Sequence, residues 1–274
     1  MLKCPICNHL SMYHDETGCK QASCGCIKTA KDLRGETRIP PFRSIGRITK
    51  WVVRFIIATI ILTIISLAVS APHVAGTAID PYSYAFEEDP VLEYISNIIQ
   101  NIITIVSILA WIFGLFWYYR ASKNIHSFGA KQVWRPILSV IWWLIPPLNL
   151  YLPYDVTQQF WKVSNPQTKL VNGVEWKDVP NSNMIKLWWT LTLVSLLGIF
   201  VFTLGLGFAL ISHYSDINPE PFFDSFGTRL SIIIISISFD ILLIISEIYL
   251  IKIIRQISTW QELKHSNLSI STSV

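Results

Sequence analysis

The chain has 274 residues, of which 51% are hydrophobic and only 15% are charged, and its mean hydropathy is +0.44. Soluble domains carry about 25% charged residues, so this composition excludes an ordinary soluble protein and indicates an integral membrane protein. The apolar residues form blocks of about 20, the length of a helix that spans the hydrocarbon, and not the alternating pattern of a membrane β-barrel. The net charge is +4, and its distribution along the chain carries more information than its sum.

Residues 1–28 form a cysteine-rich segment. It contains all five cysteines of the chain: Cys4, Cys7, Cys19, Cys24 and Cys26. The C-x-x-C opening lets two thiolates bind one tetrahedral zinc ion, and zinc would supply the folding energy that so short a segment lacks. We predict a structural zinc site formed by Cys4, Cys7, Cys24 and Cys26, with Cys19 as the first substitute. His9 and His14 are alternative ligands, while an iron site and a redox-labile cluster are the alternatives to zinc.

Residues 29–50 form a basic linker that is interrupted by Pro40 and Pro41. We interpret it as a tether whose Arg and Lys side chains lie near anionic lipid, where each contributes about 1 kcal/mol. Nucleic-acid binding is the alternative for a basic strip beside a zinc segment. The linker has neither interleaved aromatic residues nor a recognition helix, so we do not expect nucleic acid as a partner.

The first two apolar blocks predict membrane spans at about residues 51–71 and 94–119. Basic residues precede the first block, which places the N-terminal segment in the cytoplasm by the positive-inside rule. The connection between the blocks, residues 72–90, has four acidic residues and no Lys or Arg, as expected of an external loop. The second block ends at W-Y-Y-R, an aromatic belt followed by a cation, and returns the chain to the cytoplasm.

Two further spans are predicted at about residues 187–212 and 230–253. Their connection, residues 213–228, has three acidic residues and no Lys or Arg, whereas the segments on either side of this pair are basic. The transmembrane domain therefore covers residues 51–265, and residues 266–274 form a polar tail. We expect both termini to lie in the cytoplasm.

Residues 133–153, V-W-R-P-I-L-S-V-I-W-W-L-I-P-P-L-N-L-Y-L-P, are apolar but are broken by a pair of prolines. If this segment crossed the membrane, the basic stretch after it would lie outside and the next acidic connection inside, which would reverse the charge rule. Only about 13 residues precede the prolines, a helical length of about 20 Å. The prolines also free backbone carbonyls that need partners. We therefore predict a half-membrane element, a re-entrant or interfacial hairpin on the cytoplasmic side; a third full crossing in a five-span protein is the alternative.

Two acidic residues lie inside the last span, Asp240 near its middle and Glu247 two turns later. A carboxylate at the centre of a span costs roughly 2.5–3.5 kcal/mol on insertion scales. The second span carries three amides, Asn97, Gln100 and Asn101, and we expect such polar residues to face inward in a helical bundle. Asp240 would either belong to a proton or ion relay or donate a hydrogen bond to one of these amides, and we favour the hydrogen bond.

A longer pattern begins at the end of the second span. It consists of W-x-Y-R, an Asn, a Trp-rich segment ending in Pro, an N-L-x-x-P step, a polar helix with Trp, and a W-W start to the next span. The residues that carry it are Trp117, Arg120, Asn124, Trp142, Trp143, Pro146, Asn149, Pro153, Trp161, Trp188 and Trp189. The pattern resembles a bacterial family of membrane proteins known only as a domain of unknown function, DUF4328, over about residues 50–265. The resemblance implies a helical fold in the bacterial inner membrane and no particular activity, and it leaves out the cysteine segment.

The predicted fold is thus all-α: a four-span helical bundle in the membrane with a Trp- and Pro-rich hairpin, plus a small N-terminal zinc knuckle. The sequence has no P-loop, no zinc-protease helix and no nucleophile elbow, so we do not expect an enzyme. The first hypothesis is a non-enzymatic membrane module whose zinc knuckle binds a cytoplasmic protein partner. The second is an ion or small-solute transporter or channel that uses Asp240 and Glu247.

Overall fold

The computed structural model describes residues 7, 9, 19, 20, 24, 26, 40–79, 90–214 and 226–271, without the side chains of residues 71–79, 206–214, 226–229 and 269–271. The chain divides into two compact units, Met1–Pro41 and Phe42–Val274. All the described helices belong to the second unit.

The second unit is built from long helices. In chain order the described α-helices are α1 (Gly46–Ile79), α2 (Pro90–Ser127), α3 (Leu138–Ile141), α4 (Pro146–Asn149), α5 (Leu152–Ser164), α6 (Asn183–Tyr214) and α7 (Phe226–Ser271). A short 3-10 helix, Glu175–Asp178, precedes α6. Four helices contain stretches long and apolar enough to cross a membrane: Gly46–Ser70, Pro90–Ser127, Asn183–Gly205 and Leu230–Leu268. The prediction of an all-helical, multi-pass membrane protein with four spans is confirmed.

The helices continue beyond the predicted spans. Helix α2 ends at Ser127 and not near residue 119, and α7 runs to Ser271, through most of the predicted polar tail. Helix α1 begins at Gly46, within the predicted basic linker. Adding a residue to an existing helix costs far less than starting a new helix, so apolar content alone does not mark where a membrane helix ends.

The four long helices pack in the order α2, α1, α7, α6, because α1 contacts both α2 and α7 while α6 contacts α7. The α6–α7 contact is close at Gly198, where a Cβ atom would lie 2.2 Å from Cε1 of Phe239. The hydroxyl oxygens of Thr192 and Ser246 lie 2.6 Å apart and join the same two helices by a hydrogen bond. Such small and hydroxyl-bearing residues are typical of helix contacts in lipid, where burial of apolar surface provides no driving force.

Residues 133–153 do not form a spanning helix. They contain α3 and α4, of four residues each, and Pro146 opens α4 at a position where a missing N–H is tolerated. The N–H of Trp134 donates to Oε1 of Gln159 at 3.1 Å, near one end of the segment. Near the other end, the carbonyl of Leu150 accepts the indole N–H of Trp189 at 3.0 Å. Both ends therefore contact helices of the same structural unit, and these residues do not add a fifth candidate span to the four.

Residues 42–56, 117–189 and 253–268 form one end of the second unit, which we call the head. All the buried residues of the main hydrophobic core lie in the head. Helix α5 crosses it with Val156, Phe160 and Val163 on one face, each at most 1% exposed. By contrast, the most apolar part of α2 contains no buried residue. Burial of apolar surface therefore stabilises the head, while the spans present their apolar side chains outward.

A loop near the 3-10 helix is closed by hydrogen bonds to one carboxylate. The N–H groups of Asn172, Gly173 and Val174 donate to the carboxylate oxygens of Glu175 at 2.6, 3.0 and 3.0 Å. These bonds, with that of Asn172 contributing most, hold the pKa of the Glu175 carboxyl below its usual range. Because the carbonyl of Gly173 also accepts the N–H of Lys131 at 2.7 Å, the loop is tied to the chain that leads into the hairpin.

We predict that Gly198→Leu weakens the α6–α7 contact, because the new side chain would occupy the space of the Phe239 ring. Overpacking of this kind costs typically about 1–3 kcal/mol, so the unfolding temperature of the purified protein in detergent should fall. Gly205→Leu is the matched control on the same helix, since a Cβ at Gly205 has no atom within 4 Å. Equal effects of the two substitutions would contradict the close contact.

Candidate functional site

Four metal-ligand side chains come together in the first unit. The sulfur atoms of Cys7, Cys19 and Cys24 and the imidazole of His9 provide donor atoms that all lie within 4.8 Å of one another. Sγ of Cys19 lies 3.4 Å from Nδ1 of His9. The sulfur–nitrogen edge of a zinc tetrahedron is about 3.5 Å long, given bonds of about 2.3 Å and 2.0–2.1 Å. Three thiols and one imidazole are donors that zinc accepts, and the Cys19–His9 separation is close to that edge length.

This Cys/His cluster overlaps the predicted ligand set in part. It contains two of the predicted ligands, the predicted substitute Cys19 and one of the two alternative histidines. Cys26, another predicted ligand, is 9% exposed and packs beside the cluster, and its carbonyl accepts the N–H of Cys19 at 3.0 Å. Cys4 and His14 lie outside the described residues. The position of Cys19 depends on this backbone pairing, which cysteine spacing does not reveal.

In the head, Asn124 forms a buried hydrogen-bonded clasp. Its Oδ1 accepts the backbone N–H of Arg43 at 3.1 Å, and its Nδ2 donates to the carbonyl of Arg43 at 3.0 Å and to Oε1 of Gln261 at 2.9 Å. Nε2 of Gln261 donates in turn to the carbonyl of Ala121 and to Oγ of Ser164. Two fully buried amides thus connect the segment before α1 with α2, α5 and α7.

About two turns before Asn124 on α2, Trp117 joins three helices. Its indole N–H points between Oγ1 of Thr49 on α1, at 3.0 Å, and Oγ of Ser258 on α7, at 3.1 Å. The two hydroxyl oxygens lie 2.7 Å apart. Because Trp117 is only 1% exposed, both its ring and its single polar atom serve the packing of the head.

The motif residues of α5 are also packing residues. Pro153 is buried, and its carbonyl accepts the hydroxyl of Thr157 at 2.6 Å, which in turn lies 2.6 Å from the hydroxyl of Tyr118. The ring of Trp161 stands edge-on to that of Trp260, with 4.5 Å between the centroids. Helix α5 is therefore fixed to α2 and α7 by these side chains.

The motif residues of the hairpin form an aromatic cluster at the edge of the head. The ring of Trp143 lies 5.2 Å from that of Tyr118 and 6.0 Å from that of Trp189. The indole nitrogens of Trp142 and Trp143 and Oδ1 of Asn149 are buried and have no hydrogen-bond partner among the described residues. Of the other three predicted motif residues, Arg120 is half-buried, Pro146 is exposed and Trp188 is buried.

Two polar residues of the head were not predicted from the sequence, Gln261 and Lys264. Nζ of Lys264 donates to the carbonyls of Val163, Thr168 and Asn165 at 2.6, 2.8 and 3.3 Å, next to the C-terminal end of α5. A cation is favoured at that end of a helix dipole. Their spacing could have indicated them in the sequence. Ile257, Gln261 and Lys264 are four and three residues apart, so they lie on one face of α7.

The intramembrane polar residues do not converge. Asn97, Gln100 and Asn101 are exposed on α2, while Asp240 and Glu247 are half-buried on α7. Neither carboxylate has a hydrogen-bond or ion-pair partner in the part of the chain that the structure describes. A bond between Asp240 and one of the three amides is therefore not formed in this arrangement.

We predict that Asn124→Asp destabilises the head. An ionised carboxylate cannot donate, so the carbonyl of Arg43 and Oε1 of Gln261 would lose their donor, at about 1–3 kcal/mol for each buried group left unsatisfied. The measurement is the thermal unfolding midpoint in detergent, followed by near-ultraviolet circular dichroism. Asn181→Asp, at an exposed position before α6, is the control for the added charge. A midpoint unchanged by Asn124→Asp would show that the clasp contributes nothing to stability.

Comparison with known proteins places this arrangement in a family. A family model described as Domain of unknown function (DUF4328) matches residues 91–259, more than half of the chain. The match includes α2, the hairpin, α5, α6 and most of α7, and it excludes the Cys/His cluster. No curated protein and no solved structure matches the chain. With four apolar helices long enough to cross a membrane and a family match over most of the head, the chain belongs to the DUF4328 family.

Proposed function

We propose that this chain is a non-enzymatic membrane module that holds a zinc-stabilised, protein-binding segment at the cytoplasmic face of the bacterial inner membrane. The observation that carries the proposal is the convergence of four thiol and imidazole donors within 4.8 Å. The four spans and the head serve as the anchor, and the zinc segment engages a cytoplasmic protein.

The ligand set supports a structural role for the metal. Cys7, His9, Cys19 and Cys24 would fill all four positions of a tetrahedral zinc ion, and closed sites of this kind are structural, whereas catalytic zinc keeps one position open for water or substrate. Zinc binding would order a segment that has few apolar side chains to bury. An ordered segment presents fixed side chains to a partner and loses less entropy when it binds.

The chemistry of the head supports a scaffold. Asn124, Gln261 and Trp117 are buried, and their polar atoms bond to other groups of the same chain. A catalytic side chain needs access to a substrate, whereas these residues stabilise the arrangement of the helices. The buried motif residues Trp117 and Asn124 therefore support a structural role for the head and not a catalytic one.

The charge distribution supports a cytoplasmic head. Four spans put the segment before α1 and the end of α7 on one side, and the N–H of Ile45 donates to Oε1 of Glu262 at 3.1 Å. Basic residues are frequent in the segments that form the head, while residues 213–228 are acidic and have no Lys or Arg, which is the asymmetry of the positive-inside rule. Thiols remain reduced in the cytoplasm, which favours a metal over a disulfide.

A transporter or channel is the second candidate, and it is favoured by one observation. Asp240 and Glu247 lie half-buried in a span without partners among the described residues, and carboxylates inside a membrane are often functional. Ion or solute flux into reconstituted vesicles that depends on Asp240 would favour this candidate over the scaffold.

We predict about one zinc ion per chain in the full-length purified protein, measured by elemental mass spectrometry. Replacing any of Cys7, Cys19 or Cys24 by Ser, or His9 by Ala, removes one of the four donors and should lower the zinc content substantially, since a site with three ligands binds far more weakly. Cys26→Ser is the matched control, because Cys26 lies outside the donor cluster. This variant should keep its zinc.

Co-purification with cross-linking from membranes then tests the partner. The same protein should be recovered in stoichiometric amount with the wild type and with Cys26→Ser, and should be lost with Cys7→Ser. Full-length protein without zinc would contradict the metal site. A partner retained by the zinc-free variants would contradict the role of the segment while leaving the metal site intact.

We predict that the head is cytoplasmic. In a variant whose five cysteines are replaced by Ser, a cysteine at Val171, which is 83% exposed, should not react with a membrane-impermeant maleimide in intact cells and should react after lysis. A cysteine at Ser83, in the acidic connection of residues 72–90, should react in both conditions. Labelling of the Val171→Cys variant in intact cells would show that the head lies outside the cytoplasm.

A further inference from the structure

An apolar groove lies between α2 and the hairpin. Its volume is about 360 Å³, within the range of small-molecule sites, about 300–1,000 Å³. The residues that line it are Ile112, Leu115, Phe116, Tyr119, Ile137 and Val140. The phenol oxygen of Tyr119 is the single polar side-chain atom in this wall.

The groove is open at the outer surface of the protein, near the point where α2 enters the head. Phe116 and Ile137, one on each wall, are 61% and 56% exposed. The wall on α2 ends at Tyr119, within the W-Y-Y-R sequence where aromatic side chains and a cation mark the membrane interface. A space walled by apolar side chains at this depth excludes water and loses dispersion contacts when it is empty, so an acyl chain is its natural occupant.

A cation stands at the end of the groove that faces the head. Nζ of Lys123 lies 4.7 Å from the centroid of the Tyr119 ring, one of the groove walls. The chain from residue 112 to residue 140 contains four Lys or Arg residues and no Asp or Glu. Basic side chains at the membrane surface attract anionic headgroups, and the apolar groove with its adjacent ammonium matches an acyl chain and the phosphate of the same lipid.

We propose that this groove binds one acyl chain of an anionic phospholipid from the surrounding membrane, and that Lys123 contacts the lipid phosphate. The bound chain fills the space between α2 and the hairpin and so fixes the position of a segment that has only two short helices of its own. The proposal rests on residence in a membrane and is independent of the zinc segment.

Native mass spectrometry of the delipidated full-length protein tests this proposal, with dioleoylphosphatidylglycerol as the probe and dioleoylphosphatidylcholine as its neutral counterpart. The first phosphatidylglycerol should bind several-fold more tightly than phosphatidylcholine. Lys123→Gln should reduce this preference about fivefold, the factor for one basic residue at an anionic surface. Lys186→Gln, which removes an exposed cation of the head outside the groove, should leave the preference unchanged.

A second pair of variants tests the groove itself. Val140→Trp fills the groove and should abolish the first binding step of both lipids. Ile105→Trp places the same side chain at a lipid-facing position of α2 that is 60% exposed and outside the groove, and should have no effect. Equal affinity for the two lipids, or full binding by the Val140→Trp variant, would overturn the proposal.

If the Val140→Trp variant fails to fold, photolabelling of the wild-type protein tests the groove instead. Phosphatidylglycerol with a diazirine in one acyl chain should label residues 112–119 and 137–140, and excess unlabelled phosphatidylglycerol should prevent the labelling. Labelling spread evenly over all four spans would overturn the proposal. So would a dimer that survives delipidation and disappears with Val140→Trp, because the groove would then belong to a second copy of the chain.

Discussion

The backbone of residues 133–153 imposes the main constraint on this protein, because hydrocarbon offers no hydrogen-bond partner to an unpaired N–H or C=O group. A long helix pairs its own groups, whereas α3 and α4 together leave many of theirs to be paired elsewhere. The hairpin is therefore held against protein, by Gln159 at one end and by Trp189 at the other. Residues 133–153 therefore add no crossing to the four long helices.

The stabilising interactions are divided between two environments. In the head, apolar side chains leave water, and the core forms around Trp117, Phe160 and Ile257. In the spans, apolar side chains remain in contact with lipid, and helix pairing depends on close approach at Gly198 and on the hydrogen bond between Thr192 and Ser246. The exposed amides of α2 belong to the second environment, since no neighbouring helix of the described chain covers them.

Sequence reasoning predicted the features that depend on local composition. Span number follows from apolar length, and the hairpin follows from its proline pair and from the charges on either side. Asn124 was selected as a motif residue, but its role was not, because its partners Arg43 and Gln261 lie 81 and 137 residues away along the chain. The ligand cluster shows the same limit: spacing suggested Cys26, whereas the structure brings Cys19 and His9 together with Cys7 and Cys24.

The bridge formed by Trp117 has a consequence for the order in which the protein matures. Thr49 and Trp117 emerge from the ribosome with α1 and α2, but their shared partner Ser258 belongs to α7. In the same way, Asn124 lacks its hydrogen-bond partner Gln261 until α7 is translated. During synthesis, these polar groups of α1 and α2 stay incompletely bonded until α7 arrives, so the head closes only after all four spans have been translated.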